Sequence, residues 1–512
     1  MGVRLLYQSH PAGGVCQVHA GSKDIGAIAM RIIIASPEAV PYVKTGGLAD
    51  VAGALLREFR ARGERASLVL PLYRAVREGF RLHPTGKSFT LQMGIRRVSA
   101  GIWSTDKTSC PAAYFISCDE LYDRPELYGT ARGDYTDNAL RFAFFSRAVL
   151  ETCLALNIRP DVIHCNDWQT GLVPLFLKDL YRKKTGLAGT ASVLTIHNLG
   201  YQGLFPKTDI RDTGLGWEHF TIDKMEFHDM LNYLKAGLNY ADVLNTVSET
   251  YAREILRPEN GFGLDDLLRQ RKKDLYGIIN GIDYDEYDPG RDRLLPAQYD
   301  QDDLEGRKAC RQMLLKEAGL GNDGSPVIGI VGRLAAQKGF DLIADGLPEL
   351  LAKGFQVVLL GKGEAYYQDL LSGLSEQYPG RVSVRIGFEE RFARLIYAGA
   401  DFFLMPSKYE PCGLGQLIAL RYGAIPVARR TGGLTDTITD DDHAPGLGTG
   451  FLFSDYSVRA MAGAAGRGLR AFADHERFRG LMQRAMTADF SWDAATDRYA
   501  LLYAKARTKV SR

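Results

Sequence analysis

The sequence predicts an α/β protein made of two Rossmann-like, doubly wound domains that face a central cleft. Three observations support this fold class. Short apolar runs alternate with amphipathic segments, one eight-residue motif occurs twice, and 512 residues are more than one domain usually holds. We predict domains at residues 30–278 and 279–490, preceded by an extension at 1–29 and followed by a helix at 491–512 that packs back on the first domain.

Ten apolar runs have the length and composition of buried strands. Between them lie helical patterns, such as the apolar positions spaced three or four residues apart from Leu48 to Phe59. Continuous apolar strands that alternate with helices are typical of parallel sheets covered on both faces. The ten runs are 32–35, 67–70, 162–164, 193–197, 243–247, 327–331, 357–360, 382–386, 402–405 and 425–427.

Composition excludes several classes of protein. Hydrophobic residues make up 46% and charged residues 24%, which is globular rather than disordered or fibrous. The net charge of +2 argues against a strongly basic nucleic-acid-binding protein. No apolar run approaches the roughly 20 residues that span a membrane. The seven cysteines lack a CxxC pair, which fits a reducing compartment, and we expect a cytoplasmic protein.

The N-terminal extension shows neither a signal-peptide pattern nor a clear period. Met30 then precedes the first apolar strand. We interpret residues 1–29 as an extension or the product of an upstream start site, and the alternative is a flexible tail.

The repeated motif is a glycine loop at the start of a helix. Residues 44–51 (KTGGLADV) recur as residues 430–437 (RTGGLTDT), each after a strand-like run. Glycines allow close backbone approach, and the free N–H groups of a helix start favour an anion. The alternative is a plain helix start packed tightly on a strand. The pairing favours two Rossmann-type units whose glycine loops face one cleft.

Charged residues follow two strands of the second predicted domain. Arg333 and Lys338, in residues 332–339 (GRLAAQKG), suit a diphosphate, and the alternative is two solvated surface cations. Glu410 follows the run 402–405 and could accept hydrogen bonds from sugar hydroxyls or cap the next helix. Cys412 could be a nucleophile, but no histidine lies close in sequence.

Polar residues also end two strands of the first predicted domain, at 164–168 (HCNDW) and 195–198 (TIHN), which indicates the lining of a site. A metal site would need His, Asp and Cys to converge, which spacing alone cannot show. Asp283-Tyr284-Asp285 has the DxD pattern but lies in a polar, surface-like stretch. We therefore expect no metal.

These motifs together resemble the bacterial glycogen synthases and plant starch synthases, a family of retaining glycosyltransferases of the GT-B fold. The matching segments are 44–51, 135–138 (YTDN), 164–168, 197–203, 280–283 (NGID), 332–339, 410–414 and 430–436. The resemblance implies transfer of glucose from ADP-glucose to the non-reducing end of an α-1,4-glucan such as glycogen. No cofactor, nucleic acid or membrane partner is expected.

The resemblance also implies roles for particular residues. Arg333 and Lys338 would neutralise the departing diphosphate, Glu410 would hold glucose hydroxyls, and His197 would lie beside the transferred glucose. These four are the predicted catalytic residues. The predicted substrate-binding residues are Lys44, Gly46, Gly47, Asp50, Asn138, Asp167, Asn198, Asn280, Phe388, Cys412, Gly413, Leu414, Thr431, Gly432 and Gly433.

Some of these roles can be stated more closely. Lys44 and the Gly46-Gly47 backbone would contact the nucleotide sugar, Asp167 would lie on the acceptor side, and the loop 431–433 would hold the distal phosphate. Phe388 stands where the family usually has Tyr, and its ring would stack on the base.

The sequence departs from related patterns in places. Asn166 and Gln169 stand where many bacterial relatives carry His. Related retaining transferases often have a second Glu eight positions after the one that corresponds to Glu410, and this chain has Ile418 there. Glycogen synthases generally lack this second Glu too. No motif supports a nucleophile, so we expect same-face attack within an ion pair, in a cleft that closes during the reaction.

Three other functions remain to be weighed. The same fold could use UDP-glucose as the donor. A catalytically silent glucan-binding protein is disfavoured by the intact Lys44, Arg333, Lys338 and Glu410. A dinucleotide-dependent oxidoreductase lacks support, because no GxGxxG motif follows the first strand.

Overall fold

The computed structural model describes residues 29–130, 133–183 and 186–511. Cys16 and nearly all of the predicted N-terminal extension, up to residue 28, lie outside the described residues. The six described cysteines are all free thiols. Within the described ranges, no helix is both long and apolar enough to cross a membrane.

The first half of the chain contains the following elements in order: β1 (Arg31–Ala35), α1 (Gly47–Ala61), β2 (Arg65–Pro71), α2 (Arg74–Gly79), β3 (His83–Met93), β4 (Arg96–Ser104), β5 (Ala113–Ser117), α3 (Asp119–Tyr122), β6 (Gly129–Thr130), β7 (Gly133–Asp134), α4 (Asn138–Ala155), β8 (Val162–Asn166), α5 (Leu172–Phe176), β9 (Ala191–Ile196), β10 (Leu204–Pro206), α6 (Ile210–Thr213), β11 (Glu226–Phe227), β12 (Met230–Asn232), α7 (Tyr233–Tyr240), β13 (Val243–Thr246), α8 (Glu249–Glu254), α9 (Pro258–Gly261), α10 (Asp265–Gln270) and β14 (Leu275–Gly277).

The second half continues with these elements: α11 (Glu305–Ala318), β15 (Val327–Leu334), α12 (Phe340–Ala352), β16 (Gln356–Gly363), α13 (Ala365–Gln377), β17 (Val382–Ile386), α14 (Glu390–Gly399), β18 (Phe402–Met405), α15 (Gly415–Arg421), β19 (Ile425–Arg429), α16 (Gly432–Thr437), β20 (Phe451–Phe453), α17 (Val458–Ala473), α18 (His475–Thr487) and α19 (Trp492–Val510).

Two large sheets organise these elements. The first has the strand order β14-β13-β9-β8-β1-β2-β5-β4-β3, in which β4 runs antiparallel to both of its neighbours, β5 and β3, and the other pairings are parallel. The second is wholly parallel, in the order β17-β16-β15-β18-β19-β20. Each of the ten apolar runs coincides with a strand, with two of them ending one residue beyond it, and the α/β fold class is confirmed. The antiparallel β3–β4 extension is an addition that the sequence did not predict.

Helices cover the sheets because the strands are apolar on both faces. In α1, the buried residues recur with helical spacing and pack toward the first sheet. The second sheet separates two apolar clusters, one on each face. Two aromatic residues of α19, Tyr499 and Tyr503, are buried in the core of the first sheet. The last helix therefore crosses from the second half of the chain to the first.

Strand order determines where a ligand cleft can form. In the first sheet the order reverses between β1 and β8, and in the second between β15 and β18. Open parallel sheets bind ligands outside the carboxyl ends of the strands at such a reversal. The site is therefore expected where these four strands end.

Candidate active site

The two sheet reversals bring residues of both halves together across one cleft. Arg333 Nη1, at the end of β15, donates to the hydroxyl of Tyr201 at 2.9 Å. Asn198, after β9, donates to Gln337 Oε1 at 3.3 Å. The two halves thus touch directly where the sequence placed the candidate residues.

Lys338 and Glu410 form a close ion pair in the second half. Lys338 Nζ lies 2.6 Å from Glu410 Oε2, and the Glu410 side chain is only 5% exposed against 25% for Lys338. Ser407 Oγ donates to the same carboxylate oxygen at 3.0 Å. The pair forms because Lys338 follows β15 and Glu410 follows β18, and these strands are neighbours in the sheet. Glu410 is therefore a fixed, largely desolvated acceptor at the strand ends.

Arg333 is held differently. Its guanidinium bonds the neutral Tyr201 hydroxyl and lies 5.7 Å from the centre of that ring. A neutral partner does not compensate the positive charge of the guanidinium. Arg333 therefore remains a strong candidate for binding an anion.

The first glycine loop binds a carboxylate of its own domain. Glu38 accepts hydrogen bonds from the backbone N–H and hydroxyl of Thr45 and from the Gly46 N–H at 3.2 Å. Burial raises the pKa of Glu38, and these hydrogen bonds oppose the rise. Lys44 reaches Asp50 instead, with 2.7 Å between Nζ and Oδ1. The loop holds an anion as the sequence indicated, but that anion is a side chain.

The second glycine loop binds a carboxylate from the other half of the chain. Glu254, the last residue of α8, accepts from the Gly432 N–H at 3.1 Å and from the Thr431 hydroxyl at 3.2 Å. The Gly433 N–H donates instead to the carbonyl of Glu410 at 3.0 Å. A distal phosphate would have to displace Glu254 to use the groups that the sequence assigned to it.

Glycine is required at position 432 by both conformation and space. Its φ is +43°, in the left-handed region, and a Cβ there would lie 1.9 Å from the Glu410 carbonyl oxygen. The loop 431–433 therefore packs directly on the backbone that carries Glu410.

Asp167 and His197 lie together on the opposite side of the cleft. Asp167 has a positive φ of 54°, which is uncommon for a non-glycine residue, and its Oδ1 accepts from the His197 N–H at 2.7 Å. Burial raises the pKa of Asp167 to about 7. Burial also lowers the pKa of His197 to about 3, so that imidazole is neutral at pH 7.

The hydrogen bonds of Asn166 define the tautomer of His197. Asn166 donates its amide to the Ala35 carbonyl at 3.0 Å, which turns its Oδ1 toward His197 Nε2 at 2.9 Å. A neutral His197 therefore carries its proton on Nε2. Asn166 therefore orients the ring.

Several predicted residues have structural partners. The Asn138 amide donates to the Tyr128 carbonyl at 2.8 Å and accepts from Arg141 at 2.7 Å. Because the Tyr128 hydroxyl in turn donates to Glu38 at 3.1 Å, Asn138 reaches the first glycine loop only indirectly. Asp283, the first residue of the DxD pattern, pairs with Arg57 at 2.8 Å.

The remaining predicted residues line the second half of the cleft. Burial raises the pKa of Cys412 to about 12, so its thiol stays protonated and is a poor nucleophile. Asn280 is 5% exposed, and its Oδ1 has no hydrogen-bond partner in the part of the chain that the structure describes. Gly413 has φ +77°, and Leu414 lies opposite Gly47. Phe388 is 88% exposed, which leaves its ring open to stacking.

Sequence reasoning missed three residues of this region: Glu38, Tyr201 and Glu254. Glu38 follows β1 by three positions, so its place after a strand was a usable signal. Tyr201 lies in the matching segment 197–203 but was assigned no role, and Glu254 gave no signal, because its partners are distant in sequence. His164 proves to be a core residue, bonded to Tyr503 and Thr195 at 2.8 and 2.7 Å. Among the described residues, no group of three or more His, Cys, Asp or Glu is arranged to hold a metal ion.

Comparison with known proteins gives consistent matches. The family model of the starch synthase catalytic domain matches residues 31–270, and that of group 1 glycosyl transferases matches residues 325–470. A glycogen synthase from Syntrophotalea carbinolica is 45% identical over 93% of this chain and 99% of its own length. One from an Anaeromyxobacter species is 47% identical with the same coverage.

Solved structures agree. The catalytic domain of starch synthase IV from Arabidopsis thaliana, bound to ADP and acarbose, superposes with a TM-score of 0.86. It is 32% identical and covers 95% of this chain and 100% of its own. A sucrose-phosphate synthase from Thermosynechococcus elongatus, at 18% identity and TM-score 0.58 over 93% of this chain and 98% of its own, shares the fold.

Proposed function

The chain belongs to the glycogen synthase family of glycosyltransferases, and from this premise we propose that it transfers glucose from ADP-glucose to the non-reducing end of an α-1,4-glucan such as glycogen, with retention of configuration. The observation that carries the proposal is the Lys338–Glu410 ion pair, whose carboxylate is buried, at the reversal of the second sheet. It lies in a cleft whose other wall contains Asp167 and His197. A solved relative bound to ADP supports a donor with an adenine base.

On the donor side, Arg333 and Lys338 supply positive charge where a diphosphate departs. Negative charge grows on the leaving group as the glycosidic bond breaks, so these cations interact more strongly with the transition state than with the bound substrate. Interactions that strengthen in this way lower the barrier. Glu410, fixed by Ser407 and Lys338, would hold the glucose hydroxyls.

On the acceptor side, Asp167 and His197 would position the glucan. The neutral His197 can donate a hydrogen bond near the transferred sugar without adding a positive charge. Asp167 ionises close to neutral pH and therefore responds to pH in the working range.

Retention is proposed to occur by same-face attack within an ion pair. Retaining glycosidases place a nucleophilic carboxylate about 5 Å from the acid. Glu410 is instead engaged by Lys338 and Ser407, and no motif supports another nucleophile. Isolation of a covalent glucosyl-enzyme through Asp or Glu would refute this step.

We further propose that residues 30–278 form the acceptor-side domain and 279–490 the nucleotide-sugar domain, with 491–512 returning to the first. Limited proteolysis at the junction near residue 279, followed by mass determination of the fragments, tests these limits. The cytoplasmic location expected from the sequence stays a prediction.

The donor and acceptor are tested by incorporation of labelled glucose into glycogen. ADP-glucose and UDP-glucose are compared in parallel, with and without EDTA. We expect incorporation from ADP-glucose that EDTA leaves unchanged. Preference for UDP-glucose would overturn the donor assignment, and a loss of activity in EDTA that added Mg²⁺ restores would overturn the metal-free mechanism. Failure with both donors, alongside binding to glycogen, would favour a silent glucan-binding protein.

A further inference from the structure

Glu254 makes an unusual contact across the cleft. Both of its carboxylate oxygens lie 3.1 Å from the Gly432 backbone nitrogen, and the Thr431 hydroxyl donates to the same group at 3.2 Å. Glu254 belongs to α8, whereas Thr431 and Gly432 begin α16 in the other half of the chain. The carboxylate therefore joins the two halves.

The same two helices share a second, independent contact. The Thr250 backbone N–H donates to Asp436 Oδ2 at 2.8 Å, and the Thr250 hydroxyl donates to the other oxygen. A carboxylate from each helix is thus held by a backbone N–H and a hydroxyl of the other. Such reciprocal pairs specify one relative position of α8 and α16, because hydrogen bonds to charged acceptors are strong and directional.

Helix α16 in turn supports the loop that carries Glu410. The Gly433 N–H donates to the Glu410 carbonyl at 3.0 Å. At the other end of α16, Thr437 accepts from Gln416 at 3.2 Å, and the same Gln416 amide donates to the Cys412 and Gly413 carbonyls at 2.9 Å. A shift of α16 would therefore move both ends of the segment 410–413.

The other glycine loop provides an internal comparison. Glu38 bonds Thr45 and Gly46 in the same way, but all three residues lie in the first half of the chain. That contact is independent of how the halves are arranged. The Glu254 contact depends on that arrangement, because its two sides belong to different halves of the chain.

We propose that Glu254 is a positioning residue that couples closure of the cleft to the sugar-binding loop. When the halves close, its carboxylate seats on Thr431 and Gly432, and α16 then holds Glu410 in place for the reaction. This inference rests on the proposed function, since the effect passes through Glu410. It goes beyond that function by assigning a task to a residue outside the predicted catalytic and substrate-binding sets.

The main competing explanation predicts the opposite change in nucleotide affinity when Glu254 is removed. If loop 431–433 binds the distal phosphate, Glu254 is a competitor for that anion. Its removal would then tighten nucleotide binding. Under our proposal, removal weakens catalysis and leaves nucleotide affinity unchanged or lower.

The test compares Glu254→Ala and Glu254→Gln with the wild type. We expect the Ala variant to lower kcat on the order of 10- to 100-fold, as loss of hydrogen bonds to a charged group implies. The Gln variant keeps the shape and one acceptor oxygen, so it should recover much of that loss. The affinity for ADP, measured by calorimetry, should not increase in either variant. Glu259→Ala, an exposed glutamate five positions further along the chain, is the matched control.

A second readout does not depend on turnover. Small-angle scattering of the nucleotide-free protein should give a larger radius of gyration for Glu254→Ala than for the wild type, because the closed arrangement loses a contact. An unchanged kcat in the Ala variant, or a tighter affinity for ADP, would overturn the proposal. If the wild type itself incorporates no glucose, the proposed function fails. In that case an unchanged radius or a tighter ADP affinity would still overturn the coupling role.

Discussion

Replacing Lys338 by Ala, alone and together with a change at Glu410, separates the catalytic role of Lys338 from its structural role. Lys338 is the charged partner of Glu410, at 2.6 Å, and the Glu410 side chain is only 5% exposed. The substitution leaves Glu410 with the Ser407 hydroxyl as its one remaining side-chain partner among the described residues. Two effects are expected, one on the leaving diphosphate and one on the stability of the fold.

The catalytic effect is the loss of one preorganised cation. Removing such a donor typically costs about 3 kcal/mol of transition-state stabilisation, or about 100-fold in kcat. The structural effect is an uncompensated buried carboxylate. Breaking a buried ion pair costs about 3–5 kcal/mol, and the partial exposure of Lys338 places this case toward or below the lower end.

The assay combines initial rates of glucose incorporation with the urea midpoint of unfolding. Lys338→Ala should lose both activity and stability. The double variant Lys338→Ala with Glu410→Gln removes the buried charge, so it should regain stability but not activity. The control is Lys408→Ala, since Lys408 is 42% exposed and pairs with Asp341 at the surface, at 3.0 Å.

Two results would refute this reasoning. A raised KM with unchanged kcat would mean that Lys338 binds the ground state and the transition state equally. A double variant no more stable than the single one would mean that the buried Glu410 charge is not what destabilises Lys338→Ala.

Two further predictions concern Asp167 and Gly432. Burial raises the pKa of Asp167 to about 7, so kcat/KM should rise with pH through an ionisation near 7. Asp167→Asn should abolish this ionisation in the pH profile. If the ionisation persists in the variant, it belongs to another group, which is not His197 because the pKa of His197 is about 3. The raised pKa of Asp167 affects stability in the opposite direction from activity. Its contribution to the free energy of unfolding should be lost as the pH rises from 3.8 toward 7, because the unfolded state releases the proton first. In the Asn variant, the unfolding midpoint should therefore depend less steeply on pH. Gly432→Ala should reduce both the thermal midpoint and kcat, because φ is +43° and a Cβ would lie 1.9 Å from the Glu410 carbonyl oxygen; strain of this kind costs about 1–3 kcal/mol before the clash is counted. The control is Gly463→Ala in helix α17, where a Cβ meets nothing within 4 Å. This change should leave kcat unchanged and stabilise the fold by up to about 1 kcal/mol. Wild-type stability and kcat in Gly432→Ala would contradict the close packing of Gly432 on Glu410.

The sequence was most informative where burial alone determines structure. The strands of the parallel sheets are apolar on both faces and short, so their runs could be read directly. The β3–β4 hairpin was missed because β3 is largely exposed and β4 is buried only at alternate residues. Antiparallel edge strands need only one buried face, so they leave no continuous apolar run.

In the candidate site, positions could be predicted but partners could not. Residues such as Arg333, Asp167 and Glu410 follow strands, and parallel strands end at one edge, so their proximity follows from local sequence. The partner of Gly432 lies 178 positions away, on a short helix with no distinguishing pattern. Glu254 therefore looks like any surface glutamate until the fold places it.

The two glycine loops illustrate how a motif specifies a requirement rather than a ligand. Both place a threonine hydroxyl and backbone N–H donors around one anion, two N–H groups around Glu38 and one beside Glu254. The backbone donors of residues 432 and 433 that the sequence assigned to phosphate are thus already engaged by protein acceptors. Lys338 is neutralised by Glu410, whereas Arg333 bonds only a neutral hydroxyl in the described residues. Arg333 is therefore the group best able to attract a diphosphate before the rest of the site rearranges around it.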